Sequence, residues 1–244
     1  MGARASGHPF PTPAPPGDTS AVARRTLFFD IDGTLLLTRR AGRSALHQAM
    51  REEFGLAEVD DQGIRFGGRT DRELVAAFLR TAGIDPSPLN QGRLRRRYVS
   101  AFRQAVRSTP GGVLPGVLDL IRELSQHSQV RLAVMTGNFP ETARMKLECF
   151  GLLEYFSWIV GGDLDASRCD LARRAAARLI RRGGGGFTVI GDTVHDVRCA
   201  RAIDARCLAV CTGSGTREEL EREKADHIVD DLTDQSALAY LLQA

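Results

Sequence analysis

From about residue 113 onward, short apolar runs alternate with stretches of helical spacing, and that alternation restricts the fold more than any other feature of the chain. The apolar runs fall at 130 to 135, 157 to 160, 187 to 191, 207 to 211 and 227 to 229. Between them, periodic patterns predict helices at about 116 to 127, 140 to 150, 168 to 182, 194 to 203 and 216 to 223. Thr216, with Glu219 three residues on, is a capping-box signature. Strand and helix in strict alternation imply a parallel sheet with helices on both faces.

One more strand is expected earlier, at Thr26-Leu27-Phe28-Phe29, just ahead of Asp30-Ile31-Asp32-Gly33-Thr34. The next stretch of chain has a different character. Residues 41 to 54, 70 to 82 and 90 to 108 carry apolar positions at helical spacing, and no convincing strand lies among them. Gly67-Gly68 and Asp85-Pro86-Ser87-Pro88 break the pattern. The expected fold is therefore α/β: a doubly wound parallel-sheet core built from 25 to 37 and 113 to 244. An all-helical unit from 38 to 112 interrupts it. The first 24 residues, rich in Pro, Gly, Ala and Ser, offer too little apolar surface to offset chain entropy and read as a disordered tail.

Composition narrows the function. At 43% hydrophobic and 26% charged, the chain reads as an ordinary globular enzyme. No apolar run approaches membrane-spanning length, and the N-terminus has no apolar secretory core, so a cytoplasmic location is the expectation. Five scattered cysteines do not form a disulfide framework, and Cys207 and Cys211 have no partners for a zinc site. Residues 38 to 112 carry 14 Arg against 8 Asp or Glu, although the whole chain has a net charge of +3. A basic segment over a more acidic core suits an anionic substrate and a bound cation, while a solvated Arg-rich helix face accounts for the charge equally well. The run Arg93, Arg95, Arg96, Arg97 lacks interleaved aromatics, so nucleic-acid binding is not expected. The tetraglycine Gly183 to Gly186 precedes a strand and lacks a following Lys-Ser/Thr, so it reads as a loop.

Ligands of such sheets bind at the carboxyl ends of the strands, and three candidate motifs fall there. Asp30 and Asp32, two apart at a strand end, point the same way and repel each other. A divalent cation with a taste for hard oxygen ligands, Mg²⁺, rewards that arrangement. Val134-Met135-Thr136-Gly137-Asn138 ends a strand and leads into a helix, where unpaired N–H groups and the Thr136 hydroxyl face an anion; helix capping alone explains it as well. Gly191-Asp192-Thr193-Val194-His195-Asp196 places acids four apart at the start of a helix, a pattern that helix-dipole compensation also produces. His195 reads as an exposed or structural residue.

In this order and spacing the three motifs resemble those of the haloacid dehalogenase superfamily: the hydrophobic run with DxDGT at Asp30 to Thr34, the Thr-containing second motif at Thr136, and the GDxxxD form of the fourth at Asp192 and Asp196. The resemblance is to phosphoglycolate-phosphatase-like members and covers about residues 26 to 232. It implies a Rossmann-like core with a helical cap. It also implies a Mg²⁺-dependent phosphatase acting on a small phosphorylated metabolite, with Asp30 the nucleophile and Asp32 the acid/base. The metal site is expected at Asp30, Asp32, Asp192 and Asp196. Thr136, Gly137, Asn138 and the motif cation are expected on the phosphate.

That cation is a departure. The family pattern has a Lys between the second and fourth motifs, and this chain has only Lys146 and Lys224. Lys146 falls too early and Lys224 too late; Arg168-Cys169-Asp170-Leu171 resembles the Arg-x-Glu/Asp-Leu variant of some phosphoglycolate-phosphatase-like members, which implies Arg168 as the cation, with Arg173 and Arg174 as alternatives. Arg keeps its charge and grips phosphate with two donors. Phe66 to Asp71 resembles the cap loop near the site, making Arg69, and with it Arg39, a substrate contact. A phosphomutase of the same fold, a metal-free dehalogenase and a catalytically inactive binding protein are the rival readings.

Overall fold

Strands β1 (Arg25–Phe29), β4 (Val130–Met135), β5 (Ile159–Val160), β6 (Phe187–Gly191), β7 (Arg206–Val210) and β8 (His227–Val229) form one parallel sheet in the order β5-β4-β1-β6-β7-β8. This computed structural model describes residues 24 to 165 and 167 to 243. All of the Pro-rich tail except Arg24 lies outside the described residues. The chain builds outward from β1 through β4 to β5, then returns to the other side of β1 for β6, β7 and β8. A crevice forms where such an order reverses, at the carboxyl ends of the strands.

The central strands are buried on both faces. Leu27 and Phe29 of β1 join Val134, Ile190, Leu208 and Val210 on one side, under α4 (Val117–Gln126), α5 (Pro140–Cys149) and α9 (Gln235–Leu242). Phe28 joins Ala133, Met135, Val189, Cys207 and Ala209 on the other, under α6 (Arg168–Ile180), α7 (Val194–Arg201) and α8 (Arg217–Arg222). The period-two alternation along β1 explains why its last three residues, Leu27, Phe28 and Phe29, are all apolar.

A two-residue antiparallel pair, β2 (Leu36–Leu37) with β3 (Gly112–Val113), closes the stem from which three helices extend. These are α1 (Ala41–Phe54), α2 (Asp71–Thr81) and α3 (Pro88–Ser108). They share a third apolar cluster that includes Leu46, Met50, Phe78, Leu94 and Phe102. Phe139, from the loop after β4, belongs to this cluster and not to either sheet face.

The helix ends obey local chemistry. Thr70 and Glu73 form a reciprocal capping box at α2, and Thr216 and Glu219 form another at α8. Helix α3 starts two residues before the expected position 90. Ser87 accepts from Asn90 N–H and Pro88 occupies the first turn, so Ser-Pro opens this helix instead of breaking it. Helix α9 lies outside the expected elements, although Asp234 caps it and Ala237 and Leu241 are buried one turn apart. Among the described residues, no helix is long and apolar enough to cross a membrane.

Candidate active site

Three neighbouring strands deliver the three motifs to one place. Asp30 leaves the end of β1 with its N–H donated to the Ile190 carbonyl of β6 at 2.9 Å. The chain then wraps on itself: the N–H groups of Thr34, Leu35 and Leu36 all donate to the carbonyl of Ile31. Gly33 sits in the left-handed region at φ +86, and a Cβ there would lie 2.6 Å from Asp192 Oδ2. Only glycine allows the turn and the close approach of the two motifs.

Asp192, at the end of β6, accepts from Thr34 Oγ1 at 3.3 Å and from the Ser214 N–H at 2.8 Å. Asp196 accepts from the Thr193 N–H at 3.0 Å and the Thr193 hydroxyl at 2.7 Å through one oxygen, and from Arg168 at 2.6 Å through the other. Arg168, the first residue of α6, also reaches Asp30 Oδ1 at 3.3 Å. Arg173 and Arg174 turn elsewhere, to Asp170 and Asp165.

Asp30, Asp192 and Asp196 are all buried, with ligand atoms within 4.8 Å of one another. Three carboxylates against one guanidinium leave negative charge out of contact with water. Burial pushes the Asp30 carboxyl up to about 6; Arg168 opposes this, while Asp196 and Asp32 add to it. Burial and then the charges of Asp196 and Asp30 push Asp192 up to about 8. Burial works against the charge of Arg168, but Asp196 and Asp30 outweigh it and raise its pKa. Such a donor set fits a hard divalent cation, which removes the penalty by supplying the missing positive charge. Asp196 takes two donors on one oxygen and the guanidinium on the other, so it suits holding Arg168 and adding charge behind the site. Asp192 takes only a single neutral donor on each oxygen, and it and Asp30 are the better placed to ligate.

These groups open into a cavity of 510 Å³ between the sheet end and the helical unit, within the usual range for small-molecule sites. The sheet side contributes Asp30, Asp32, Thr136, Gly137, Asn138, Arg168 and Asp192. The helical unit contributes Arg40, Arg43, Leu46, Phe66, Gly67, Gly68, Arg69, Leu74 and Tyr98. Thr136 is buried, and its Oγ1 accepts from the Asn138 N–H at 3.3 Å. Arg69 lines the cavity; Arg39 does not, and its neighbour Arg40 does.

The two sides meet closely. Gly68, at φ +73, lies so near His195 that a Cβ would fall 2.1 Å from the imidazole Cδ2. Half-buried His195 has its pKa lowered by burial and then by Arg168, which favours the neutral ring. Asp71, the first residue of α2, accepts from the Phe139 N–H at 2.8 Å and the Thr142 hydroxyl at 2.9 Å, and its own N–H donates to the Gly137 carbonyl.

Lys146 requires a correction. Its position in the chain, early in the helix after Thr136, argues against a place in the site. The structure buries it in the cavity wall, where Nζ donates to Asp32 Oδ2 at 2.5 Å and to Asn138 Oδ1 at 2.9 Å. The sequence distance is misleading because the segment after β4 leads directly into α5, and the first two turns of that helix stay beside the loop that carries Thr136 to Asn138. A lysine so rare in an Arg-rich chain was the available signal.

The sequence profile described as haloacid dehalogenase-like hydrolase matches residues 27–210. A protein named probable phosphatase IndB from Dickeya dadantii is 28% identical over 219 residues, covering 88% of this chain and 94% of its own length. A phosphoglycolate phosphatase from Pectobacterium atrosepticum is 27% identical, covering 87% of this chain and 91% of its own. Among solved structures, CbbY from Rhodobacter sphaeroides in complex with phosphate aligns with a TM-score of 0.70 at 25% identity. It covers 88% of this chain and 98% of that one.

Proposed function

Because the chain belongs to the haloacid dehalogenase-like hydrolase family, we propose that it is a phosphatase that hydrolyses a small phosphorylated metabolite through a phosphorylated Asp30, with Mg²⁺ as cofactor. The observation that carries this reading is the buried set Asp30, Asp192 and Asp196, held around one guanidinium at the floor of the cavity.

Asp30 is the nucleophile. Arg168 beside it favours its charged form and stands ready to take phosphoryl oxygens. The Thr136 hydroxyl and the Gly137 N–H offer further donors at the end of the neighbouring strand. As the Asp30–phosphorus bond forms and the ester bond breaks, Asp32 gives a proton to the leaving oxygen. It then takes one from the water that releases phosphate from Asp30. When bound, magnesium neutralises phosphoryl charge and holds the group in line for attack; Asp30, Asp192 and the Asp32 carbonyl would hold it, with Asp196 behind. Arg69 and Arg40, on the cavity rim, are placed to meet the leaving group, and the helical unit acts as a cap that limits entry of water.

The relatives named as phosphoglycolate phosphatase supply a first substrate to try, and a 510 Å³ cavity admits larger phosphomonoesters, so a panel is the right screen. The test is phosphate release from p-nitrophenyl phosphate and from that panel, by wild type and Asp30→Asn, with millimolar Mg²⁺ and with a chelator. We expect Asp30→Asn to lose at least ~1,000-fold in turnover, as nucleophile removal does elsewhere, and chelation to abolish the remainder. Full turnover in Asp30→Asn defeats the nucleophile; undiminished turnover in chelator removes the metal.

A further inference from the structure

Lys146 is buried, and every donor direction it uses leads to the site. The ammonium donates at 2.5 Å to Asp32 and at 2.9 Å to Asn138, and it lies 5.7 Å from the centroid of the Phe102 ring on α3. Burying an ammonium is costly unless partners replace its water. Here the partners are a carboxylate, a side-chain amide and an aromatic face from the helical unit. Asp71 lies near enough to interact through its charge, but its carboxylate is already committed to Phe139 and Thr142.

Asp32 is the opposite case. Its side chain is 40% exposed, and among the described residues the only hydrogen bond to its carboxylate comes from Lys146. A half-exposed Asp has several rotamers open to it. An acid/base group has to sit within hydrogen-bond reach of the ester oxygen as the bond breaks. Whatever fixes the rotamer of Asp32 therefore sets its efficiency.

We propose that Lys146 is a positioning residue that holds the Asp32 carboxylate where it meets the leaving-group oxygen, and that Phe102 of α3 keeps Lys146 in place. The proposal rests on the phosphatase reading above. It assigns two cations to two acids: Arg168 serves Asp30, and Lys146 serves Asp32. It also joins proton transfer to the helical unit, because one wall of the Lys146 site belongs to α3.

The test compares kcat/KM for p-nitrophenyl phosphate and phenyl phosphate in wild type, Lys146→Met, Lys146→Arg and Phe102→Leu, with Mg²⁺ present. Nitrophenolate leaves readily without a proton, whereas phenolate is a much stronger base and depends on Asp32. General acid catalysis contributes ~100- to 10,000-fold. A mispositioned acid should thus cost Lys146→Met at least ~10-fold more on phenyl phosphate than on p-nitrophenyl phosphate. Lys146→Arg should recover most of that difference. Phe102→Leu leaves the ion pair but removes the ring, and should widen the ratio by about threefold, the scale of one cation–π contact; it carries the test should Lys146→Met fail to fold. Equal losses on both substrates in the folded variants, or no loss, overturn the positioning role. A wild type that hydrolyses neither ester overturns the phosphatase reading on which it stands.

Discussion

Replacing Arg168 by Met tests the electrostatics of the site without relying on turnover. The Arg168 side chain is 9% exposed, and its guanidinium lies 2.6 Å from Asp196 and 3.3 Å from Asp30. Methionine keeps most of the apolar stem and removes the charge, leaving three buried carboxylates with no cation. Breaking one side of a buried ion pair costs about 3–5 kcal/mol. At roughly 2–4 °C per kcal/mol for a chain of this size, the melting temperature should fall by about 6–20 °C near pH 8.5 in chelator. The pH dependence has a definite sign. Asp30 already has a folded-state pKa of about 6, above its ordinary 3.8, and Arg168 is the group holding it down against burial. Without Arg168 that value rises further. A carboxyl whose folded pKa exceeds its unfolded one destabilises the native state fully above the folded pKa, and that penalty shrinks as pH falls from the folded value toward the unfolded one. The part added by removing Arg168 is therefore relieved between the variant's folded pKa and the wild type's. The gap between variant and wild type should therefore narrow toward pH ~5.5, by up to ~1.4 kcal/mol for each unit of additional shift. Mg²⁺ should raise the melting temperature of Arg168→Met more than that of wild type, because an ion that binds only the native state then meets a larger uncompensated charge. Thermal melts followed by circular dichroism read all of this. A gap below ~2 °C at both pH values, or one that widens on acidification, would refute the claim that Arg168 neutralises this cluster.

Two further predictions concern the helical unit. Gly68→Ala forces a side chain into the left-handed region, at about 1–2 kcal/mol, and drives Cβ into His195. It should lower kcat/KM for p-nitrophenyl phosphate by ~10-fold, the scale of a small misplacement at an active site. The melting temperature should drop by only a few degrees, and an unchanged kcat/KM would show that this contact does not shape the site. Asp61 is bonded by Arg43 and His47 of α1, and hydrogen bonding to Arg43 is the main cause that holds its carboxyl down to about 2. With a depressed folded pKa, its contribution is present above pH ~4 and lost as pH falls through ~2. Since Arg43 is substantially exposed, Asp61→Asn should cost about 1 kcal/mol at neutral pH, and urea titrations at pH ~7 and ~3 should show the difference shrinking on acidification.

Much of this arrangement was readable from the chain because local signals and global fold agree. Phe28-Phe29-Asp30 could be read as a buried strand running into acids, since β1 is covered on both faces and its residues 27 to 29 are apolar on each side. The GD at Gly191-Asp192 was legible for a similar reason: a Cβ at Gly191 would collide with Asp196. Lys146 was not legible, because its partner Asp32 is 114 residues away and only the packing of α5 between α3 and β5 brings them together. The bond between Asp71 and the loop after β4 was hidden for the same reason, as the capping pattern at Thr70 accounted for the local sequence. Helix α9 escaped because eight residues without a charge show little periodic contrast.

Phe139 comes directly after the cavity-lining segment Thr136 to Asn138, yet its ring lies 6.1 Å from that of Tyr98 and beneath the Arg95 guanidinium. The helices from 41 to 108 therefore borrow an aromatic from elsewhere in the chain to complete their interior. Expressed alone, that stretch would have a hole where a benzyl group belongs, and grafting it onto a different scaffold would require the donor segment to travel with it. The same insertion ties the backbone of the cavity wall to the interior of the helices above it.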